Sequence, residues 1–450
     1  MNNSLVNRDF NHIWHPCSQM KDYENFPPLE IISASGIYLH LPEGKKLIDA
    51  ISSWWCKTLG HGHPRLREAL LHQVNRFEHV ILANTSNETL VELSERLTGF
   101  FPSLSKVFYA GDGSMAVEIA VKMALQAKAI QSKGAKKTPT RLMALENGYH
   151  GETALTLALG DLGLYREAYQ AILPPVIFLR GIPYVDSDSH PLWSDCSSVW
   201  PAIEKQLDEQ RTELCAIVLE PILQGAGGML LYSADFLKRL RAWTLKNNVF
   251  LIADEILSGF GRTGKMFACE HAGIVPDFMC LSKGLTAGWL PMSAVLISQS
   301  IYEEFYADYG QGRDFLHSNT YAGNALGAAV ALETLKIYED ENILSQVQNQ
   351  APFLRSQFEK IAKATGRLKN IRSLGGMVAG DLVLDNLGAG HAQPKKRAGF
   401  QVYQEAVERG ALLRNLGDTL YWLLPLNAQR SEIEALGDIT EAAIQATFDR

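Results

Sequence analysis

From about residue 64 onward, short apolar runs alternate with longer amphipathic stretches, and this alternation constrains the fold more than any other feature of the chain. Lys106–Ala110, Arg141–Leu145, Phe278–Leu281 and the runs 215–219 and 249–253 read as buried strands. Residues 64–80, Glu88–Phe100, the stretch from Gly111-Asp112-Gly113-Ser114 through Ala127, and Ala234–Lys246 read as helices. Short apolar strands separated by helices imply a mostly parallel sheet covered on both faces, so the expected class is α/β. Past a helix around 322–338 the style changes. Strands near 377–383 and 420–424 mix with helices, the last one opened by Ser431-Glu432-Ile433-Glu434, a capping-box pattern. A smaller α+β domain is expected there. The N-terminal segment, with a strand-like run at 36–40, is too short to fold alone and is expected to pack on it. The division this predicts is 1–57 and 336–450 for the small domain and 58–335 for the large one.

Several function classes drop out on composition. A net charge of −7 over 450 residues leaves no electrostatic footprint for nucleic acid. The longest uncharged run, 284–302, is broken by Gly288, Pro291 and three serines, which is poor membrane-spanning material and better suited to a buried strand and turn. Asn2, Asn3, Arg8, Asp9 and His12 leave no apolar stretch for a signal peptide. The six cysteines lie scattered, without CxxC or Cys/His ligand spacing, so no metal is expected and reduced thiols in a cytoplasmic protein are.

A glycine loop at 259–265 following the acidic strand end at Asp254-Glu255 imitates a nucleotide triphosphatase, but Met266 stands where a magnesium-holding Ser or Thr is required. The acidic strand end has a better use. Asp254 is expected at the carboxyl end of its strand, where open α/β sheets bind ligands. Lys283 follows 29 residues later, just past another strand and flanked by Ser282 and Gly284. A carboxylate for a pyridinium nitrogen and a desolvated lysine for a Schiff base suit pyridoxal 5′-phosphate. By themselves the two residues fit a surface carboxylate and a solvated lysine more readily. Gly113 and Ser114, between a strand and a long helix, make an anion site of free backbone N–H groups, with Ser114 able to cap the helix; a plain turn is the alternative. Tyr149 in Asn147-Gly148-Tyr149-His150-Gly151 puts an aromatic ring at a strand end, and Glu220 puts a second carboxylate at another. Several strand ends thus converge on one ligand.

The run 251–291, LIADEILSGFGRTGKMFACEHAGIVPDFMCLSKGLTAGWLP, resembles the core signature of the class III aminotransferases, fold-type I pyridoxal-phosphate enzymes. IWHP at Ile13, SSWW at Ser52, NGYHGE at Asn147 and LEPILQGAGGM at Leu219 extend the likeness from about residue 13 to the last helix. The resemblance implies that Lys283 holds the cofactor covalently and moves a proton, that Asp254 partners the ring nitrogen, that Gly113 and Ser114 bind the phosphate, and that Tyr149 stacks beside the ring, with Glu220 nearby. It implies that Thr320, with Ser318 and Asn319 before it, reaches a partner subunit's phosphate, which requires a homodimer with shared sites. It gives Trp54 and Trp55 a place in the substrate pocket and Arg414 the carboxylate of a keto acid, work suited to a bidentate fork. Arg262 is read as structural or substrate-facing, and His150 as support for the site. The implied reaction is amination of 8-amino-7-oxononanoate with S-adenosylmethionine as donor, in biotin biosynthesis. Lysine as donor, another class III reaction on ω-amino acids or diamines, and a cofactor-retaining protein without turnover are the alternatives. Two departures stand out: Cys17 lies where the family carries an aromatic, and Ser318-Asn319 replaces Gly-Pro. Cys17 is also assigned to the substrate pocket, where it bears on the donor.

Overall fold

A computed structural model describes residues 4–384 and 397–449. Its central sheet has seven strands in the order Lys106–Ala110, Ser293–Ile297, Phe278–Leu281, Phe250–Asp254, Leu214–Leu219, Arg141–Leu145 and Ile177–Leu179. Six run parallel, and Ser293–Ile297 alone is antiparallel to both neighbours. Because side chains alternate across a strand, each strand feeds two cores. Ile217, Leu219, Leu251, Ala253, Met279 and Leu281 enter one core with Leu93, Leu97, Leu237 and Leu240 from the helices on that face. Ala216, Val218, Phe250, Ile252, Phe278 and Cys280 enter the other, against Val117, Ala120, Val121 and Ala124 of helix Gly113–Gln131. Each fully buried Leu, Ile or Val contributes roughly 1.5–3 kcal/mol, which is why strands this apolar need cover on both faces. The α/β reading is borne out.

A third core holds the rest. The antiparallel sheet Leu368–Leu374, Met377–Leu382 and Thr419–Trp422 packs with helices Ile343–Thr365, Ala398–Arg409 and Arg430–Phe448. Ile37 and Ile48 from the N-terminal segment join Phe358 and Trp422 there. Strand Lys46–Asp49 pairs in parallel with Ala411–Leu412, extending the hairpin Ser33–Ser35 and Tyr38–His40 into a four-stranded sheet. Gly36, with φ +54°, is the turn of that hairpin and not the start of a strand.

Other boundaries shift for local reasons. The helix expected over 64–80 ends at Val74, because the Gln73 side chain donates to the Phe77 carbonyl at 2.9 Å and turns the chain. The last helix is capped by Gln429, whose backbone N–H donates to the Glu432 carboxylate at 2.7 Å, and not by Ser431. Among the described residues no helix is long and apolar enough to cross a membrane, and no cluster of ligating side chains could hold a metal.

Candidate active site

The carboxyl ends of the parallel strands meet at one place. Asp254 is the last residue of its strand and is buried, and it pairs in register with Cys280 of the next strand, three residues before Lys283. Lys283 adopts φ +41° at the start of a tight turn, with Gly284 pressed on Phe260, where a Cβ would lie 2.8 Å from the Phe260 Cβ. The Lys283 ammonium lies 5.0 Å from the centre of the Trp55 ring. Burial pulls its pKa down, against the opposing pull of Asp254, Glu220 and Cys56, and so favours the neutral, nucleophilic amine.

Asp254 Oδ2 lies 2.8 Å from His150 Nδ1, while Oδ1 accepts from the Ile256 N–H at 3.2 Å. An ionised Asp254 makes Nδ1 the protonated nitrogen. The other nitrogen, Nε2, is buried with no partner among the described residues. Glu220 accepts the backbone N–H of Tyr149 at 3.0 Å and of Gly225 at 2.9 Å. Burial pushes its carboxyl up to about 7, with His150 and the two N–H groups opposing and Asp254 adding.

Helix Gly113–Gln131 points its N-terminus at the same region. Asp112, not Ser114, caps it, accepting from the Met115 N–H at 3.0 Å, so the Ser114 hydroxyl stays available. Gly113 has no room for a Cβ, which would lie 2.9 Å from Ile256 Cδ1, and Gly151, at φ +123°, leaves the space that Ser114 Oγ occupies. This donor set suits pyridoxal 5′-phosphate: a buried carboxylate for a ring nitrogen, a desolvated lysine for an aldehyde carbon, and a helix N-terminus for a phosphate.

Of the residues assigned to substrate, Trp55 is the one in contact with the lysine among the described residues. Ser52 to Trp55 form a single left-handed turn, with φ of +49°, +45°, +71° and +75°. Each such residue costs roughly 1–2 kcal/mol without compensation. The Trp55 ring is buried, with Nε1 donating to the Tyr421 hydroxyl at 3.0 Å. Trp54 is 41% exposed and carries the Arg414 guanidinium 3.8 Å over its ring. Arg414 pairs with no carboxylate among the described residues, which leaves its fork open. Tyr149 donates to Glu152 at 3.0 Å and packs edge-on against Tyr165, ring centres 6.1 Å apart. The Cys17 thiol, exposed, lies 4.0 Å from Glu152.

Not everything gathers. Ser318 and Thr320 are exposed, and the Thr320 carbonyl faces His79 Nε2 at 2.9 Å. Asn319 has a buried Oδ1 without a partner among the described residues. Among the described residues no hydrogen bond, ion pair or ring contact joins these three to Lys283 or Asp254. Arg262 is buried and donates to the Gly376 and Leu424 carbonyls at 2.9 and 2.8 Å, tying the glycine loop to the C-terminal antiparallel sheet. Glu152 and Tyr165 escaped the sequence reading, although Glu152 stands three residues after Tyr149.

Strand-end lysine, buried carboxylate and helix N-terminus on this α/β frame define a pyridoxal-phosphate type of transferase, and the chain belongs to the class-III aminotransferases, whose family profile matches residues 19–444. It is 36% identical to the adenosylmethionine-8-amino-7-oxononanoate aminotransferase of Helicobacter pylori over 96% of this chain and 95% of that one. It is 37% identical to the enzyme of the same name from Nitratidesulfovibrio vulgaris, over 99% and 82% of the two chains. Among solved structures, that of the like-named Methanocaldococcus jannaschii enzyme matches with a TM-score of 0.89 and 31% identity, covering 98% of both chains. An omega transaminase from Pseudomonas jessenii, solved in complex with PMP, matches at a TM-score of 0.88 and 28% identity, over 99% of this chain and 98% of that one.

Proposed function

We propose that this chain transaminates 8-amino-7-oxononanoate to 7,8-diaminononanoate, a step of biotin biosynthesis, with pyridoxal 5′-phosphate as cofactor and S-adenosylmethionine as amino donor. The relatives' shared name over nearly the whole chain supports the acceptor. One observation carries the geometry: the turn that sets Trp55 against Lys283 also sets Trp54 under an arginine whose fork meets no carboxylate among the described residues. A substrate with a carboxylate at one end and a reacting carbon at the other suits an arginine and a lysine carried beside adjacent tryptophans.

When bound, the cofactor supplies an electron sink for the bond broken at the amine-bearing carbon. The chain's residues do the remainder. Asp254, oriented by His150, offers a carboxylate oxygen to the ring nitrogen and favours a proton there. Lys283 Nζ would move the proton between the amine-bearing carbon of the substrate and the cofactor's aldehyde carbon. Gly113 and Ser114 would hold the phosphate and Tyr149 would wall the ring, with Glu220 accepting the Tyr149 backbone N–H and so keeping it in place. Trp55 excludes water from the lysine, and Arg414 receives the carboxylate of the acceptor. Cys17 borders the donor's path beside Glu152.

The same reading makes the protein a cytoplasmic homodimer with shared sites, its small domain drawn from 1–57 and 336–450. Tyr306, Tyr309, Leu316 and Tyr321 are 76%, 92%, 89% and 67% exposed, and they flank Ser318, Asn319 and Thr320. An apolar, exposed segment around three residues assigned to a phosphate suits delivery to a second copy. The test is mass-spectrometric detection of 7,8-diaminononanoate from 8-amino-7-oxononanoate with S-adenosylmethionine, lysine or an ω-amino acid as donor. Product with S-adenosylmethionine is the expected result. Product with lysine alone moves the donor assignment, and no diamine with any donor, while diamines or ω-amino acids are turned over, overturns the acceptor.

A further inference from the structure

The left-handed turn that carries both tryptophans is held by a buried carboxylate that lies outside the machinery assigned to the reaction. Asp49 ends strand Lys46–Asp49 and is fully buried. Its Oδ1 accepts the Ser53 backbone N–H at 2.9 Å, and its Oδ2 accepts the Ser53 hydroxyl at 2.7 Å. His61 Nε2 lies 2.9 Å from the same Oδ2 and is itself fixed by two backbone hydrogen bonds between His61 and Gly36. The Ser52 hydroxyl donates to the Leu423 carbonyl. Four consecutive non-glycine residues at positive φ persist only where the surroundings over-determine them. Here the over-determination is concentrated on Asp49, because both its oxygens reach the second residue of the turn.

The direction in which the turn winds decides where the next two side chains point. Left-handed, it places Trp54 under Arg414 and Trp55 against Lys283 and Tyr421. Unwound, the two indoles cannot keep both contacts, because successive side chains would leave the backbone at different angles. We propose that Asp49 is a positioning residue for substrate: by clamping Ser53 it locks the turn that aligns the carboxylate-binding arginine with the reacting lysine. It touches neither substrate nor cofactor and acts through Trp54 and Trp55. The inference rests on the reading that Arg414 and Lys283 serve one substrate.

The test uses the full-length holoenzyme with Asp49→Asn, Asp49→Ala and Ser53→Ala. Cofactor binding is read from the visible absorption of the loaded protein, tryptophan packing from near-ultraviolet circular dichroism, and KM and kcat from steady-state amination of 8-amino-7-oxononanoate. Expected are an unchanged cofactor spectrum, a changed tryptophan signal and a KM raised about tenfold or more in Asp49→Ala. Asp49→Asn, which keeps an acceptor for the Ser53 N–H, should fall between Asp49→Ala and the parent. Ser53→Ala, which loses one bond of the clamp and is the mildest change, keeps the proposal testable if Asp49→Ala does not fold. A KM unchanged in every folded variant, or a fall in kcat that merely follows lost cofactor, overturns the proposal. If the parent turns over a different carboxylate-bearing substrate instead, the proposed acceptor fails, and the clamp is judged by that substrate's KM.

Discussion

Lys283 and Arg414 are both cations, yet they need opposite surroundings. In the proposed reaction Lys283 must lose its proton to act, and its burial beside Trp55 promotes that loss. In the same proposal Arg414 must stay charged, and it lies only partly buried, stacked on the exposed Trp54 ring. Lys283→Ala is expected to lower turnover by at least about 10³-fold, since nucleophile and proton carrier go together; steady-state assays of the folded variant check this. Arg414→Ala is expected to cost about 1.5–3 kcal/mol in acceptor binding, read as a raised KM with little change in kcat. Arg414→Lys should not restore it, because a point charge cannot reproduce the fork. Lys283, Asp254, Tyr149 and Glu220 were legible in the sequence because each follows an apolar strand, and strand ends in such sheets converge. The His150–Asp254 contact was not, since its partners lie 104 residues apart and a histidine beside a tyrosine carries no signal of its own.

At the level of elements, most helices and strands could be located from periodicity, while their ends were set by single side chains. Glycine and serine at the start of Gly113–Gln131 drew attention to Ser114 as a cap, but the aspartate one residue before the helix does that work. Asp112→Ala should therefore destabilise the protein by about 0.5–2 kcal/mol, and Ser114→Ala by less. Denaturant titration of the two variants decides between the caps, and a larger loss for Ser114→Ala would return the role to Ser114. Strand Ile177–Leu179 went unread because three residues carry too little pattern, and it is placed by pairing with Arg141–Leu145. The turn at Ser52–Trp55 was visible as a pair of tryptophans, but its handedness depends on Asp49 and on a carbonyl from residue 423.

Over the whole molecule, two buried carboxyls shape the response to pH. Burial pushes both Glu220 and Glu255 up to about 7 from an ordinary 4.5, against the hydrogen bonds each accepts. A carboxyl raised in the fold contributes its stability fully below the unfolded pKa and loses that contribution as pH climbs through the folded one. Burial holds His271 down to about 4, which opposes the carboxyls below about pH 6.5, so stability is expected to decline chiefly as pH climbs through about 7, and Glu255→Gln should flatten the decline. Thermal melts across that range test this, and a flat curve for the parent would count against it. The antiparallel sheet and helices of the third core were foreseeable from the change of style after the long helix near residue 325. The strand pairing that joins the two ends of the chain was not, because parallel strands four residues and two residues long leave almost no trace.

That pairing has a consequence for how the protein is made. Strand Lys46–Asp49 waits for Ala411–Leu412, and the turn after it is tied to Tyr421 and Leu423, more than 360 residues downstream. A chain emerging from the ribosome can build its large sheet early and pack Trp55 against it, but the hydroxyl that accepts the Trp55 N–H and the arginine over Trp54 appear only near its end. The substrate pocket is therefore among the final parts to close, and a nascent or prematurely ended chain would present a cofactor platform with no gate to choose what reaches it.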